Sequence, residues 1–138
     1  MGEIPVALID QVYEAMQEIK ESPFTLELRG VGGFPNVVRP RVLWIGAGKG
    51  SDKMINIYKQ LGVGLRRLGF KPDQRGFTPH LTIGRVKRIL NPVLLHKKLM
   101  ELIDVQIGEI FVDSIKLKKS TLTPRGPHYT TLKLVKLD

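Results

Sequence analysis

Within Phe77-Thr78-Pro79-His80-Leu81-Thr82-Ile83-Gly84-Arg85-Val86-Lys87, the triplet His80-Leu81-Thr82 joins residue types and a spacing that can do chemistry. On a strand, successive side chains point to opposite faces. His80 and Thr82 then share one face, and Leu81 and Ile83 share the other as an apolar anchor. An imidazole takes and gives protons near neutral pH, so a histidine projecting beside a hydroxyl suits general acid/base work. A bare three-residue pattern of this kind is more often a histidine that only satisfies a local hydrogen bond, and the surroundings must decide.

The chain has 138 residues, enough for one domain with a real core, and we expect residues 1–138 to form a single domain. Its 42% hydrophobic and 25% charged content suits a soluble globular protein. No apolar run approaches a membrane span, and the first residues carry no signal-peptide pattern. There is no cysteine, which excludes disulfides, thiol nucleophiles and cysteine-ligated metals. A cytoplasmic location is the expectation. The net charge of +9 is unevenly placed. Residues 1–37 carry six carboxylates against Lys20 and Arg29, a net of −4, so the remainder carries +13. Such asymmetry points to a polyanionic partner, nucleic acid first, against the plainer reading of a lysine-rich surface.

Periodicity supplies the scaffold. Residues 5–21 read as a helix with Leu8, Val12, Met16 and Ile19 in one stripe. Phe24 to Val31 reads as a strand, followed by a loop of Gly30, Gly32, Gly33 and Pro35, then a strand from Arg41 to Ala47. Ser51 or Asp52 caps a helix whose stripe is Met54, Ile57, Leu61, Leu65 and Leu68, although Gly62 and Gly64 weaken it. Phe77 to Val86 is the strand of the motif. Asn91-Pro92 opens a third helix, with Leu94, Leu95, Leu99 and Leu102 expected inward. Ile110 to Lys119 and His128 to Leu137 are strands joined by a turn at residues 122–127. Adjacent strands with short links favour an α+β fold with antiparallel sheets and helices packed outside. Gly46-Ala47-Gly48-Lys49-Gly50-Ser51 fits neither phosphate-loop spacing and reads as a plain strand-to-helix turn.

Four segments together carry a resemblance. These are His80-Leu81-Thr82-Ile83-Gly84-Arg85, the late run from Ser120 to Tyr129, Gly30-Val31-Gly32-Gly33-Phe34-Pro35, and Arg41-Val42-Leu43-Trp44-Ile45-Gly46. In this order the chain resembles the RNA 2′,3′-cyclic phosphodiesterases, or 2′-5′ RNA ligases, of the two-histidine (2H) phosphoesterase superfamily. The resemblance implies a bilobal architecture with two His-x-Thr strands facing across a cleft. It also implies that the first of those strands precedes the segment beginning at Met1-Gly2-Glu3, so the first strands and first motif histidine are expected to be missing here. His96 is expected on a solvated helix face, and His128 is not assigned to the chemistry.

The resemblance implies a substrate of RNA ending in a 2′,3′-cyclic phosphate, hydrolysed to a 2′-phosphate by histidine acid/base catalysis. It requires no metal and no cofactor, and the same site can form a 2′-5′ linkage without ATP, with a 5′-hydroxyl as partner, as between tRNA halves. His80 would take one acid/base role, and Thr82 would contact phosphate. Arg85 would stabilise charge developing on phosphorus. Strict alternation puts Arg85 on the face opposite His80, unless a bulge at Gly84 re-aims it. Arg125 and Tyr129 would grip RNA backbone or stack a base, and Lys87 would meet phosphate. The alternative is an RNA-binding domain with little turnover. Exposed sheet edges make a homodimer a further expectation.

Overall fold

The computed structural model describes residues 4–71 and 76–138. The chain divides into two compact units. One comprises Met1–Pro23, Asn56–Gly76 and Val112–Asp138, and the other Phe24–Ile55 and Phe77–Phe111.

In the first unit a 3-10 turn at Val6–Leu8 leads into helix α1 (Ile9–Gln17). The helix is shorter than the periodicity predicts, because the chain opens on a single 3-10 turn after Pro5. The stripe still does its work, since Val12, Met16 and Ile19 are buried. Helix α2 (Ser51–Arg67) adds Leu61 and Leu65 from its second half, with Leu68 and Phe70 following. Against them lies the antiparallel hairpin of β5 (Ser114–Thr123) and β6 (Gly126–Lys136). Leu117 packs on Val12 and Met16, with Ile115 and Val135 beside it. A two-stranded hairpin is marginal in water by itself, and this apolar face is what holds it. Lys133 reaches over the Tyr13 ring to Asp10, with Nζ 2.8 Å from Oδ1. The connection is tighter than expected. Thr123 still pairs with Gly126, so Pro124-Arg125 alone forms the turn, and the Thr123 hydroxyl donates to the Gly126 carbonyl at 2.7 Å.

The second unit is a four-stranded sheet in the order β3-β2-β1-β4, with helix α3. The strands are β1 (Phe24–Phe34), β2 (Val42–Ala47), β3 (His80–Arg85) and β4 (Gln106–Val112). Both β1–β2 and β2–β3 are antiparallel. β1 runs through the glycines that the sequence reading assigns to a loop. A residue is inserted near Arg29–Gly30, where Gly30 has φ +74° and its backbone lies against the Ile103 carbonyl too closely for any Cβ. The strand then resumes to Phe34. The strand expected over Ile110–Lys119 is two, since β4 ends at Val112 and β5 begins at Ser114, and the first half of β4 goes unannounced because none of its residues is buried. Helix α3 (Pro92–Glu101) starts as expected, with the Leu94 N–H donating to Asn91 Oδ1 at 3.0 Å. Of the four leucines expected inward, only Leu99 is buried, and Leu102 lies just past the helix. Leu95 is half-buried, and Leu94 and Leu102 are exposed.

The two glycines of α2 differ in what surrounds them. A methyl at Gly64 would lie 2.8 Å from the Ala15 Cβ on α1, whereas one at Gly62 meets nothing closer than 3.6 Å. Gly62→Ala should therefore stabilise by about 0.5–1 kcal/mol through helix propensity. Gly64→Ala should lose about 1 kcal/mol or more, because overpacking outweighs that gain. Urea denaturation of both variants reads the opposite signs.

Candidate active site

Register decides which side chains share a face. β2 alternates regularly, so Val42, Trp44 and Gly46 point one way. Residues directly opposite in an antiparallel pair share a face. His80 lies opposite Gly46 and Thr82 opposite Trp44, so both belong to the Val42–Trp44–Gly46 face. On the other side of β2, Gly32 lies opposite Trp44 and Phe34 opposite Val42. Gly32 carries no Cβ, and one built there would sit inside the Trp44 ring, so the indole lies directly on the β1 backbone.

Aromatic rings hold the histidine. The Phe34 ring meets the His80 imidazole edge-on at 5.0 Å, and the Trp44 centroid lies 6.2 Å from it. His80 Nδ1 is 2.7 Å from the Thr78 carbonyl oxygen. That oxygen can only accept, so Nδ1 carries the hydrogen and Nε2 is left as the nitrogen that exchanges a proton. The apolar anchor expected from Leu81 and Ile83 is not what supports the ring. β3 is an edge strand, and these residues are 50% and 52% exposed. Phe34, Trp44 and Thr78 take that role, which the sequence reading missed. The aromatic at position 44 opposite a glycine was the available signal.

The parity problem of Arg85 is settled by a bulge. Trp44 pairs with Thr82 and Leu43 with Gly84, so Ile83 is an extra residue on β3. Beyond it Arg85 lies opposite Val42, on the face of His80 and Thr82. Three residues thus present a proton carrier, a hydroxyl and a guanidinium on one exposed face. A cavity of about 400 Å³ bounded by Trp44, Ser51, Phe77 and Thr78 opens in the same unit. Lys87 lies past the strand, lining a separate cavity with Arg41 and Arg88.

Arg125 and Tyr129 belong to the other unit. Tyr129 lies opposite Ser120, and Thr131 opposite Lys118, so these share the hairpin face turned away from Leu117 and α1. Lys116 joins them by alternation. Arg125 sits exposed at the turn. β6 also repeats the spacing of the motif as His128-Tyr129-Thr130. Opposite Thr121 and Lys119, His128 and Thr130 lie on the face that carries Leu117 further along. His96 is half-buried with Nδ1 enclosed, rather than on a solvated helix face. Among the described residues no three His, Asp or Glu side chains gather as a metal set, and no helix is long and apolar enough to cross a membrane.

The profile of the 2′-5′ RNA ligase superfamily matches residues 3–117. The RNA 2′,3′-cyclic phosphodiesterase of Aeropyrum pernix is 40% identical over 136 residues, covering 99% of this chain and 77% of that protein. The chain belongs to the 2′-5′ RNA ligase superfamily. The Methanocaldococcus jannaschii protein of the same name is 38% identical, covering 96% of this chain and 74% of its own length. A crystal structure from Thermus thermophilus superposes with TM-score 0.80 at 28% identity, over 99% of this chain and 73% of that one. Escherichia coli LigT complexed with 3′-AMP gives TM-score 0.75 at 22% identity, over 99% and 72%, and speaks for the fold. The resemblance read from residues 80–85 and 120–129 is borne out, as are the α+β fold with antiparallel sheets and membership in an enzyme family.

In this member of the superfamily the glycine-rich turn after β2 is closed by an anion of the protein's own. Buried Glu27 on β1 accepts the Lys49 N–H at 3.0 Å and Arg29 Nη1 at 3.0 Å, while Arg29 Nε donates to Asp104 at 2.6 Å. A methyl at Gly48 would overlap the Glu27 carboxylate. The turn is thus a structural one. The Lys49 N–H and then the Arg29 guanidinium hold the Glu27 carboxyl below its ordinary value of 4.5, and Arg29 does the same for Asp104. A carboxyl with a depressed folded pKa contributes stability present above its unfolded value and lost as pH falls through the folded one. Stability should therefore drop as pH descends below about 4.5. In Glu27→Gln, denaturation curves between pH 5 and 2.5 should show a shallower acid slope.

Proposed function

We propose that this chain hydrolyses RNA 2′,3′-cyclic phosphate ends to 2′-phosphates by histidine acid/base chemistry without a metal, and that the same site joins RNA ends through a 2′-5′ linkage when a 5′-hydroxyl takes the place of water. The observation that supports this reading is the fixed tautomer of His80, with Nε2 on the face that also carries Thr82 and Arg85. In hydrolysis, water attacks phosphorus, a base takes its proton, and the bond from phosphorus to the ribose 3′ oxygen breaks as an acid protonates that oxygen. His80 Nε2 fills one of these two roles. Thr82 binds a phosphate oxygen, and Arg85 offsets the charge on the phosphoryl oxygens. With a 5′-hydroxyl in place of water as the nucleophile, a bond from phosphorus to the 5′ oxygen forms as the bond to the 3′ oxygen breaks, and the strained cyclic diester supplies the driving force. The complete cycle needs a second proton carrier. The superfamily resemblance assigns it to another His-x-Thr strand, and the remaining histidines among these residues are His96 and His128. Arg125, Tyr129 and the lysines beside Tyr129 suit contacts to the RNA backbone or a base.

Incubation with a short RNA bearing a 2′,3′-cyclic phosphate, in EDTA, tests this. Turnover to the 2′-phosphate should follow a bell-shaped pH profile, and His80→Ala should reduce it by about 10²–10⁴-fold. His128→Ala run beside it shows whether β6 supplies the second carrier. RNA binding that survives His80→Ala, with no turnover in the parent chain, supports the alternative of an RNA-binding domain instead.

The reading includes self-association. Among the described residues the β5–β6 hairpin has only two strands, and its outer edges offer unpaired N–H and C=O groups to a second copy. Light scattering at rising concentration should show a dimer, and a monomer throughout removes this part of the reading.

A further inference from the structure

The cavity at the far end of β3 gathers four cations around one concave surface. It measures about 580 Å³, within the range of ligand sites. Arg39, Arg41, Lys87 and Arg88 line it together with apolar residues and not one carboxylate. Four cations elsewhere are paired with carboxylates: Arg29 with Glu27 and Asp104, Arg67 with Glu18, Lys98 with Glu101 and Lys133 with Asp10. Among the described residues the four cavity cations have no such partner, and all four are exposed. Like charges held together repel, so the gathering is unfavourable unless an anion arrives from outside. Pro92, the first residue of α3, lies on the cavity wall, so the positive end of that helix dipole adds to the same field.

The position matters as much as the charge. β3 runs from His80 to Arg85, and the Val86 N–H then donates to the Arg41 carbonyl at 2.9 Å, leading directly to Lys87 and Arg88. At roughly 3.3 Å per residue, His80 and Lys87 are separated by about 20 Å, the length of several nucleotides. Arg85 stands between them on the His80 face.

We propose that this cavity is a second anion subsite, which takes backbone phosphates of the single strand lying 5′ of the RNA end held at His80. It rests on the reading of RNA as substrate and adds a length requirement to it. RNA of a few nucleotides cannot span both sites, and longer strands gain affinity through contacts that carry no sequence information.

The test uses equilibrium binding of a ten-nucleotide single-stranded RNA ending in a 2′-phosphate, which is not consumed, followed by fluorescence anisotropy at several salt concentrations. Arg39→Ala/Arg88→Ala should weaken binding about tenfold or more at low salt. The slope of log affinity against log salt should become shallower by about 1.4, close to 0.7 for each phosphate that is no longer neutralised. Lys59→Ala/Lys97→Ala, which removes the same charge elsewhere on the surface, should change little, and a dinucleotide should bind the arginine variant and the parent alike. An unchanged slope in the arginine variant overturns the subsite, and so does an equal loss in the lysine variant, which would mean a diffuse field. Displacement of the decamer by millimolar inorganic phosphate, in the parent but not in the arginine variant, would assign the cavity to a free anion and overturn the strand proposal. These readouts need no turnover, so they stay separate from the His80→Ala test of the reaction.

Discussion

The contact on which the candidate site depends is that of the Trp44 indole with the backbone at Gly32. With no side chain there, the ring lies on β1 itself, and any Cβ would occupy the same space. Once the indole is down, Phe34 packs against it at 5.2 Å, and the imidazole of His80 meets the Phe34 edge. The ring direction is then settled from three sides, by pairing with Gly46, by the two aromatic rings and by the Thr78 carbonyl. A histidine on an edge strand would otherwise choose among rotamers. The arrangement has a cost, since the buried Trp44 indole N–H finds no acceptor among the described residues, worth about 1–3 kcal/mol. Ring packing must exceed that for the indole to stay where it is.

A single inserted residue does for Arg85 what the rings do for His80. Without Ile83 as the extra residue, alternation would send the guanidinium to the opposite face, and the motif would hold a histidine and a hydroxyl alone. Bulges occur where a strand must re-aim one side chain, and Gly84, with no neighbour within 4 Å of a built Cβ, tolerates the local twist. The same device recurs on β6, where Leu132 is the extra residue between Thr131 and Lys133. It lets Lys133 face Asp10 and Tyr13 on α1 while Tyr129 keeps the opposite face with Ser120 and Lys118.

The elements with a clear amphipathic period were legible in the sequence. Val12, Met16 and Leu65 fall on the stripes that spacing assigned, and the Asn91 cap followed by Pro92 sits where its chemistry requires. The glycine-rich end of β1 was not legible, because local propensity reads Gly32 and Gly33 as loop. Only the Trp44 ring on the neighbouring strand explains the bare backbone at Gly32, and only the close approach of Pro40 explains that at Gly33. The first half of β4 escaped for the opposite reason, having no buried residue to make a period. In the site, the face shared by His80 and Thr82 followed from alternation alone. The face of Arg85 could not, since a bulge is a property of pairing between strands. Nor could the rings around His80, whose contacts join residues 34, 44 and 80.

The distribution of charge partners separates two classes of arginine. Arg29 is spent entirely within the fold. It bonds two carboxylates, one of which in turn closes the turn after β2, and its guanidinium is held more firmly protonated than an ordinary arginine. Arg39, Arg41, Arg85 and Arg88 have no carboxylate partner among the described residues, and all four lie on β3 or on the segments flanking the β2–β3 pair. Part of the surplus of +13 beyond residue 37 is therefore gathered at one end of the β2–β3 pair. A solubilising coat would mix signs, as the paired Lys98 and Glu101 of α3 do. A row of unpaired guanidiniums along one strand and its neighbours makes a field with a direction, strongest where the cations converge beyond Arg85 and reaching back toward the hydroxyl of Thr82. Guanidiniums bind phosphate in two-pronged fashion and stay charged at any working pH. A strand built this way sets exposed guanidiniums beside an imidazole whose ring is held by Phe34, Trp44 and the Thr78 carbonyl, the arrangement that the proposed use of a polyanionic substrate would need.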